Sequence, residues 1–438
     1  MNIQKFCSSI IILNIIVGSS VFSHLSVSAQ EQVRSQSATV ISAPPRTLYG
    51  YEQFFLQKNL LLLAEQFSIE AADARTLQAS LWDNPMLSAE LNALNPQNNR
   101  TFDIGEEGQK AFAIQQLIYL GGKKSNEIEL AKTNAGIARL QFQDLLRNLR
   151  YQLHIGYFDL YYDQIALGSI TKQLSQLDTL ITAYTEQAAK GNLPYKDLVR
   201  LQSLYLTLQN NRTTINANIL ETQKKLKTLL ATTMDIGVEP TSAELDAYQK
   251  PLRFGIDSLQ TLALLHRPDV ALIAASVHAA ETNLSLQQSM VIPDVIVGAN
   301  YDQRGGAFPN QINITLGISL PVWNRNQGNV SVAEAELARI KVLNSVQMLE
   351  VRNQIAWAYQ KYQEALRNIR SIRPNTEQNF EAVYNGMLGN FQRRNVTMLE
   401  FTDFIESYTS SIVQIAEIRK NLAEACEELN VATAFTIF

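Results

Sequence analysis

Between Gln311 and Leu320 the chain alternates without a slip: Ile312, Ile314, Leu316, Ile318 and Leu320 on one face, Gln311, Asn313, Thr315, Gly317 and Ser319 on the other. Period two is the signature of a β-strand with two unlike faces. The stretch after Pro293 repeats it, with Val295, Val297, Ala299 and Tyr301 opposite Asp294, Gly298 and Asn300. Earlier, Leu87, Ala89, Leu91 and Ala93 alternate with Ser88, Glu90 and Asn92, and a return strand sets Phe112 and Ile114 against Ala113 and Gln115. These are two predicted hairpins, at about 85–120 and 293–321, with polar loops from Asn95 to Gln109 and from Asp302 to Asn310.

Elsewhere the pattern is helical. No proline interrupts the chain from Gly122 to Gly191, and a helix of ~68 residues at 1.5 Å each reaches about 100 Å. The segment from Gln327 to Gln392 is nearly as long. Return helices follow, from Pro194 to about Thr232 and from Val396 to about Ala432, so each half carries a long helical hairpin with its tip near Gly191 or Arg394. Rods far longer than globular helices pack laterally, on each other or on neighbouring chains. Pro374 predicts a kink or break in the second rod only.

The two halves are one pattern used twice. Ile155-Gly156-Tyr157, Tyr162 and Tyr184 recur 200 positions later as Ile355-Ala356-Trp357, Tyr362 and Tyr384, and Asn192–Leu198 matches Asn395–Phe401 after a three-residue slip. The expected organisation is a first repeat at 47–234 (helix, hairpin 85–120, helical hairpin 122–232), a connector at 235–262 and a second repeat at 263–433 (helix, hairpin 293–321, helical hairpin 327–432).

Strands of about ten residues with unlike faces suit a membrane barrel, which admits no open edge in hydrocarbon. Four strands cannot close one. The smallest single-chain barrels have eight, so four per chain require an oligomer, and three chains would supply twelve. A one-sided sheet covered by the protein's own helices produces the same alternation.

At the N-terminus, Lys5 precedes an apolar run from Phe6 to Phe22 that ends in Val27-Ser28-Ala29, which predicts a signal peptide over 1–29 cleaved near Ala29. Residues 30–46, with Pro44-Pro45, read as an extended segment. Loss of Lys5 takes the net charge from −4 to −5, which gives no electrostatic basis for nucleic-acid binding. Cys7 departs with the signal, and Cys426 remains as a buried small residue without a disulfide partner. Gln30, not a cysteine, would then open the mature chain, so no lipid anchor is expected there.

Taken in order, Trp82-Asp83-Asn84-Pro85, Leu120-Gly121-Gly122-Lys123-Lys124, Leu265-His266-Arg267-Pro268-Asp269-Val270 and Leu320-Pro321-Val322-Trp323-Asn324-Arg325-Asn326-Gln327-Gly328 resemble the TolC family of outer-membrane efflux proteins over essentially the whole mature length. The resemblance implies a mixed α/β membrane protein. Three chains pool four strands each into a 12-stranded transmembrane β-barrel, and their helical hairpins form a periplasmic tunnel. It further implies a homotrimer in outer-membrane lipid, docked by a periplasmic adaptor (membrane fusion) protein and an inner-membrane efflux pump of the RND type. Such a protein is a passive duct that carries no cofactor. Leu120–Lys124 and Asn324–Gly328 look like the branch serving cobalt, zinc, cadmium or copper efflux.

If the apolar strand faces meet lipid, Gln311, Asn313, Thr315 and Ser319 line a wet, nearly neutral lumen that sorts by size. Asp197 and Glu400 occupy equivalent places past the two tips, and Asp403 follows. Threefold symmetry would make each inward carboxylate a ring of three at a periplasmic gate; a solvated carboxylate favoured by the helix dipole is the alternative. The turns Gly191-Asn192-Leu193 and Asn395-Val396-Thr397 are where the resemblance implies adaptor contact, although glycine suits any tight reversal. Arg393 and Arg394 suit an acidic adaptor surface or simply the carbonyl end of their helix.

No catalytic chemistry is legible. His154, His266 and His278 are scattered, with no cysteine or carboxylate at metal-ligand spacing, and there is no phosphate loop, dinucleotide fingerprint or nucleophile elbow. His154, one turn from Phe158, reads as a packed or surface residue. Two alternatives to a channel are a periplasmic coiled-coil scaffold or adaptor and a secreted enzyme with a helical accessory domain.

Overall fold

A computed structural model describes residues 46–96, 99–305, 308–373 and 376–438. The predicted signal peptide, residues 30–45 and Pro374 lie outside them. In chain order the elements are α1 (Leu48–Lys58), α2 (Leu60–Ser80), β1 (Met86–Leu91), β2 (Leu94–Asn95), β3 (Arg100–Thr101), β4 (Gln109–Ile118), α3 (Lys123–Ala189), α4 (Tyr195–Leu229), α5 (Ser242–Ala247), α6 (Ile256–His266), α7 (Pro268–Ser289), β5 (Val295–Arg304), β6 (Phe308–Ile318), α8 (Gln327–Ser371), α9 (Thr376–Gln392) and α10 (Met398–Thr433).

The repeat extends to the helix hinges. Asn59 ends α1 and caps α2, and Arg267 ends α6 and opens α7, both with ψ near 120°. Each hinge side chain is pinned to the end of its own repeat's return helix. Asn59 Nδ2 donates to Leu229 O at 2.7 Å, and one guanidinium nitrogen of Arg267 donates to Ala432 O at 2.9 Å. Helix α6 begins inside the stretch read as connector, which also holds α5 with its Thr241–Glu244 capping box. Capping chemistry overrides the weak amphipathic pattern there.

Strands β1, β4, β5 and β6 form one antiparallel sheet in the order β1-β4-β5-β6. The polar loop expected from Asn95 to Gln109 contains a second small pair, β2–β3, and Gln109 is the first residue of β4. The loop expected from Asp302 to Asn310 is shorter, since β5 runs to Arg304, which pairs with Phe308. Backbone pairing there does not need apolar side chains.

The helices inherit the sheet's lateral order. Helix α2 enters β1, β4 leaves into α3, α7 enters β5 and β6 leaves into α8; α2 packs on α3, α3 on α7, and α7 on α8. A wall of strands therefore continues as a wall of helices. Helix α3 is unbroken for 67 residues, whereas the second rod ends at Ser371 and restarts at Thr376. Farther from the sheet, α3 and α8 pack on α10, and α3 on α4. The main core lies there, around Leu153, Tyr157, Phe158, Tyr362, Phe401 and Leu429. Edge-on ring contacts link Tyr51, Tyr157, Phe158 and Tyr248. Among the described residues no helix is long and apolar enough to cross a membrane.

Candidate channel wall and helical tips

The register across the sheet sorts side chains by polarity. One row joins Leu87, Ile114, Ala299 and Ile314; the next joins Ala89, Phe112, Tyr301 and Ile312. On the opposite face Ser88, Ala113, Asn300 and Asn313 align, as do Glu90, Ala111, Asp302 and Gln311. Gln311, Asn313 and Thr315 therefore share the polar face. Ser319 does not sit in the wall, because β6 ends at Ile318.

Neither face is covered. Every residue of β1 is exposed, and so is nearly every residue of β6, with Ile314 at 85 % and Ile312 at 77 %. The one-sided sheet packed on the chain's own helices is thereby overturned. An uncovered apolar face of this extent marks an interaction surface, and edges β1 and β6 remain open. Gly298 keeps the polar face tight: an added Cβ would lie 2.6 Å from Thr315 Oγ1 and 2.8 Å from Ile114 O.

Two buried ionic clips hold the elements together, one where wall meets helix and one between helices. Lys123, at the first turn of α3, lies 2.7 Å from Asp294 Oδ1 and donates to Ile292 O at 2.6 Å. Arg267 holds Asp269 through two nitrogens, and Arg147 and Gln347 converge on the same carboxylate. Although burial pushes the Asp269 carboxyl up, these partners leave it below the usual carboxylate range.

At the far end both tips close in the same six-residue Schellman turn. Asn192 N–H donates to Gln187 O and Gly191 N–H to Ala188 O; in the second repeat Asn395 N–H donates to Asn390 O and Arg394 N–H to Phe391 O. Gly191 takes φ +75° without strain, whereas Arg394 takes φ +63° with a Cβ to accommodate. Leu193 and Val396 are half-buried past the turns, and Asn192, Asn395 and Thr397 are exposed. Arg393 and Arg394 are also exposed at the second tip. A stack of Tyr184, Phe391 and Phe401 joins the two tips, with centroids 5.7 and 4.0 Å apart.

The three carboxylates expected at a gate differ in their surroundings. Glu400 is engaged in a capping box: its carboxylate accepts from Thr397 N–H at 2.9 Å and from the Thr397 hydroxyl at 2.7 Å. Those bonds hold its pKa below the usual carboxylate value. Asp197 stands at the equivalent place, but its N-cap is Pro194, which has no hydroxyl to share. The side chains of Asp197 and Asp403 have no hydrogen-bond or ion-pair partner among the described residues.

The electrostatic site that sequence reading missed surrounds His154. Its Nε2 lies 2.9 Å from Glu52 Oε1 and its Nδ1 2.9 Å from Glu427 Oε2. Burial opposes the imidazolium, but the two carboxylates outweigh it and push the pKa up to about 9. Glu427 also accepts from the Tyr248 hydroxyl at 2.5 Å. No spacing could reveal this, because Glu52, His154, Tyr248 and Glu427 come from four distant segments. Cys426 is fully buried beside them, and no group of three His, Cys, Asp or Glu among the described residues could hold a metal ion.

A four-stranded wall prolonged by helices of this length, folded twice from one pattern, is the TolC-like fold of outer-membrane channels. The structure superimposes on that of CusC with a TM-score of 0.70 and 16 % identity, covering 88 % of this chain and 91 % of that one. On VceC of Vibrio cholerae the TM-score is 0.69 at 15 % identity, with 89 % and 97 % covered. In sequence, the pyoverdine export outer membrane protein OpmQ of Pseudomonas putida is 21 % identical over 351 residues, 78 % of this chain and 70 % of that protein. No family model matches the chain.

Proposed function

We propose that this chain is the outer-membrane channel of a tripartite efflux system, a homotrimer that acts as a passive exit duct and not as an enzyme. The observation that carries the reading is the continuous wall: a sheet with one apolar and one polar face, bare on both, running into helices in the same lateral order. Three copies close the open edges into twelve strands, with apolar rows toward lipid and Asn300, Asn313, Asp302 and Gln311 toward water. Asp302 is paired with Arg304 at 2.9 Å, which leaves Glu90 as the charge among these aligned rows of a lining that otherwise filters by size. Energy comes from an inner-membrane RND-type pump, reached through a periplasmic adaptor at Gly191–Leu193 and Asn395–Thr397.

Asp197 and Asp403, whose carboxylates are not committed to a cap, are the gate groups we propose; Glu400 serves its helix first. Residues 1–29 would direct export. Heavy-metal cations are the cargo favoured by the motif resemblance at 120–124 and 324–328. Deletion of the gene is expected to raise sensitivity to zinc, cobalt, cadmium or copper, with restoration by the intact chain; sensitivity to organic compounds alone would refute that cargo. For the channel itself, membrane fractionation tests the reading. Recovery as a detergent-requiring, heat-sensitive trimer supports it, and a soluble monomer supports a periplasmic scaffold instead.

A further inference from the structure

The internal repeat dictates what the open edges should meet. Within one chain the β4–α3 junction packs on the start of β5: Leu120 N–H donates to Asp294 Oδ1 at 3.1 Å, Lys123 pairs with Asp294, and Gly121 lies so near Ile292 that a Cβ would come within 2.5 Å of its side chain. The β6–α8 junction is the same device in the second repeat. Asn326 precedes α8 at φ +59°, as Gly122 precedes α3 at φ +78°. Its counterpart surface, the start of β1, lies at the opposite edge of the sheet, so only a second copy can supply the contact.

Aligning Ile118 with Ile318 and Val295 with Leu87 carries the observed pair Ile118–Val295 into an antiparallel pair between Ile318 and Leu87 of the next copy. Leu316 then faces Ala89, Gly317 faces Ser88 and Thr315 faces Glu90 of that copy, so apolar again meets apolar and polar meets polar. The ionic clip cannot repeat, because Gln327 and Met86 stand where Lys123 and Asp294 stand. Instead the second junction is longer, and the added residues include Trp323, whose side chain is 90 % exposed. On the receiving side lies a cavity of about 470 Å³ lined by Arg75, Trp82, Asp83, Asn84, Lys124 and Glu127. Asp83 Oδ2 accepts from Tyr119 at 2.6 Å, which leaves Oδ1 for a donor, and Arg75 has no partner among the described residues.

We infer that Trp323 of each copy inserts into the Trp82–Asn84 cavity of the next, where its ring meets Trp82 and the Arg75 guanidinium and its indole N–H donates to Asp83. The inference rests on the trimeric reading, and it makes the periplasmic rim of the barrel a ring of three aromatic plugs.

The test uses the full chain in detergent with two cysteine pairs, each bridged by a short thiol crosslinker; the buried Cys426 stays unreactive. Gly317→Cys with Ser88→Cys reports the strand seam, and Trp323→Cys with Asn84→Cys reports the plug. Covalent dimers and trimers from both double variants, with monomers only from the single variants, are the expected result. A ladder from the seam pair but none from the plug pair overturns the inference and leaves the trimer standing. Quenching by brominated lipid of the fluorescence component that Trp323→Phe removes, with Trp82 left in place, also overturns it, because the indole then faces lipid. No ladder from either pair and no oligomer overturns the trimer together with the plug.

Discussion

Lys123 Nζ sits 2.7 Å from Asp294 Oδ1 with the lysine almost wholly buried, so the helix of one repeat is clipped to the first strand of the other where wall becomes rod. A charge left alone in such a place is costly. Asp294→Asn, which leaves the ammonium uncompensated, is expected to destabilise the junction by about 3–5 kcal/mol. Lys123→Met in the same chain should recover part of that loss. Heat dissociation of the oligomer in detergent measures both, and additive losses in the double variant would show that the pair is not coupled.

The two sheet faces are expected to respond oppositely to the same charge. Ile314→Lys places an ammonium in the apolar row proposed to face lipid, at about 2–4 kcal/mol near a bilayer midplane, and should prevent recovery in the outer membrane. Asn313→Lys, one residue away on the polar face, should assemble normally and shift ion preference toward anions. Equal recovery of both variants in the membrane fraction would be inconsistent with a barrel.

His154 makes stability depend on pH in a definite direction. Its pKa is near 6.5 in the unfolded chain and about 9 in the folded one, so the stabilisation is complete below pH 6.5 and is lost as pH rises through 9. Its size at neutral pH and below is on the order of 3 kcal/mol. His154→Gln should be less stable than the parent at pH 6, with the difference shrinking as pH approaches 10. Denaturant unfolding at a series of pH values checks this.

At the tips, Gly191→Ala forces a Cβ into left-handed backbone and should speed local opening, whereas Arg394→Gly should slow it, each by about 1 kcal/mol. Amide exchange at Asn192 and Asn395, whose N–H groups close the two turns, reads the effect directly.

Much of this architecture was legible because it is periodic. The alternation at Gln311–Leu320 and the proline-free run after Gly122 report strand and rod through local patterns alone. What stayed hidden depends on distant segments meeting: the Lys123–Asp294 clip, the Glu52–His154–Glu427 cluster and the pinning of Asn59 and Arg267 to their return helices. Short elements were lost for another reason. Helices α5 and α6 owe their ends to Thr241, Glu244 and the one-residue hinge at Arg267, and the β2–β3 pair sits in a stretch with no alternation. Past the two tips, Glu400 and Asp197 are equivalent by sequence, and only the change of N-cap from Thr397 to Pro194 separates them.

The most direct measurement is single-channel conductance of the purified, crosslink-sized oligomer in a planar bilayer, for the parent and for Asp197→Ala with Asp403→Ala. Trimers that conduct in discrete steps, with cation preference or divalent block weakened by the substitutions, are expected for a channel gated at its tips. A chain that forms no oligomer and passes no current, even with the helical tips truncated, would contradict the channel.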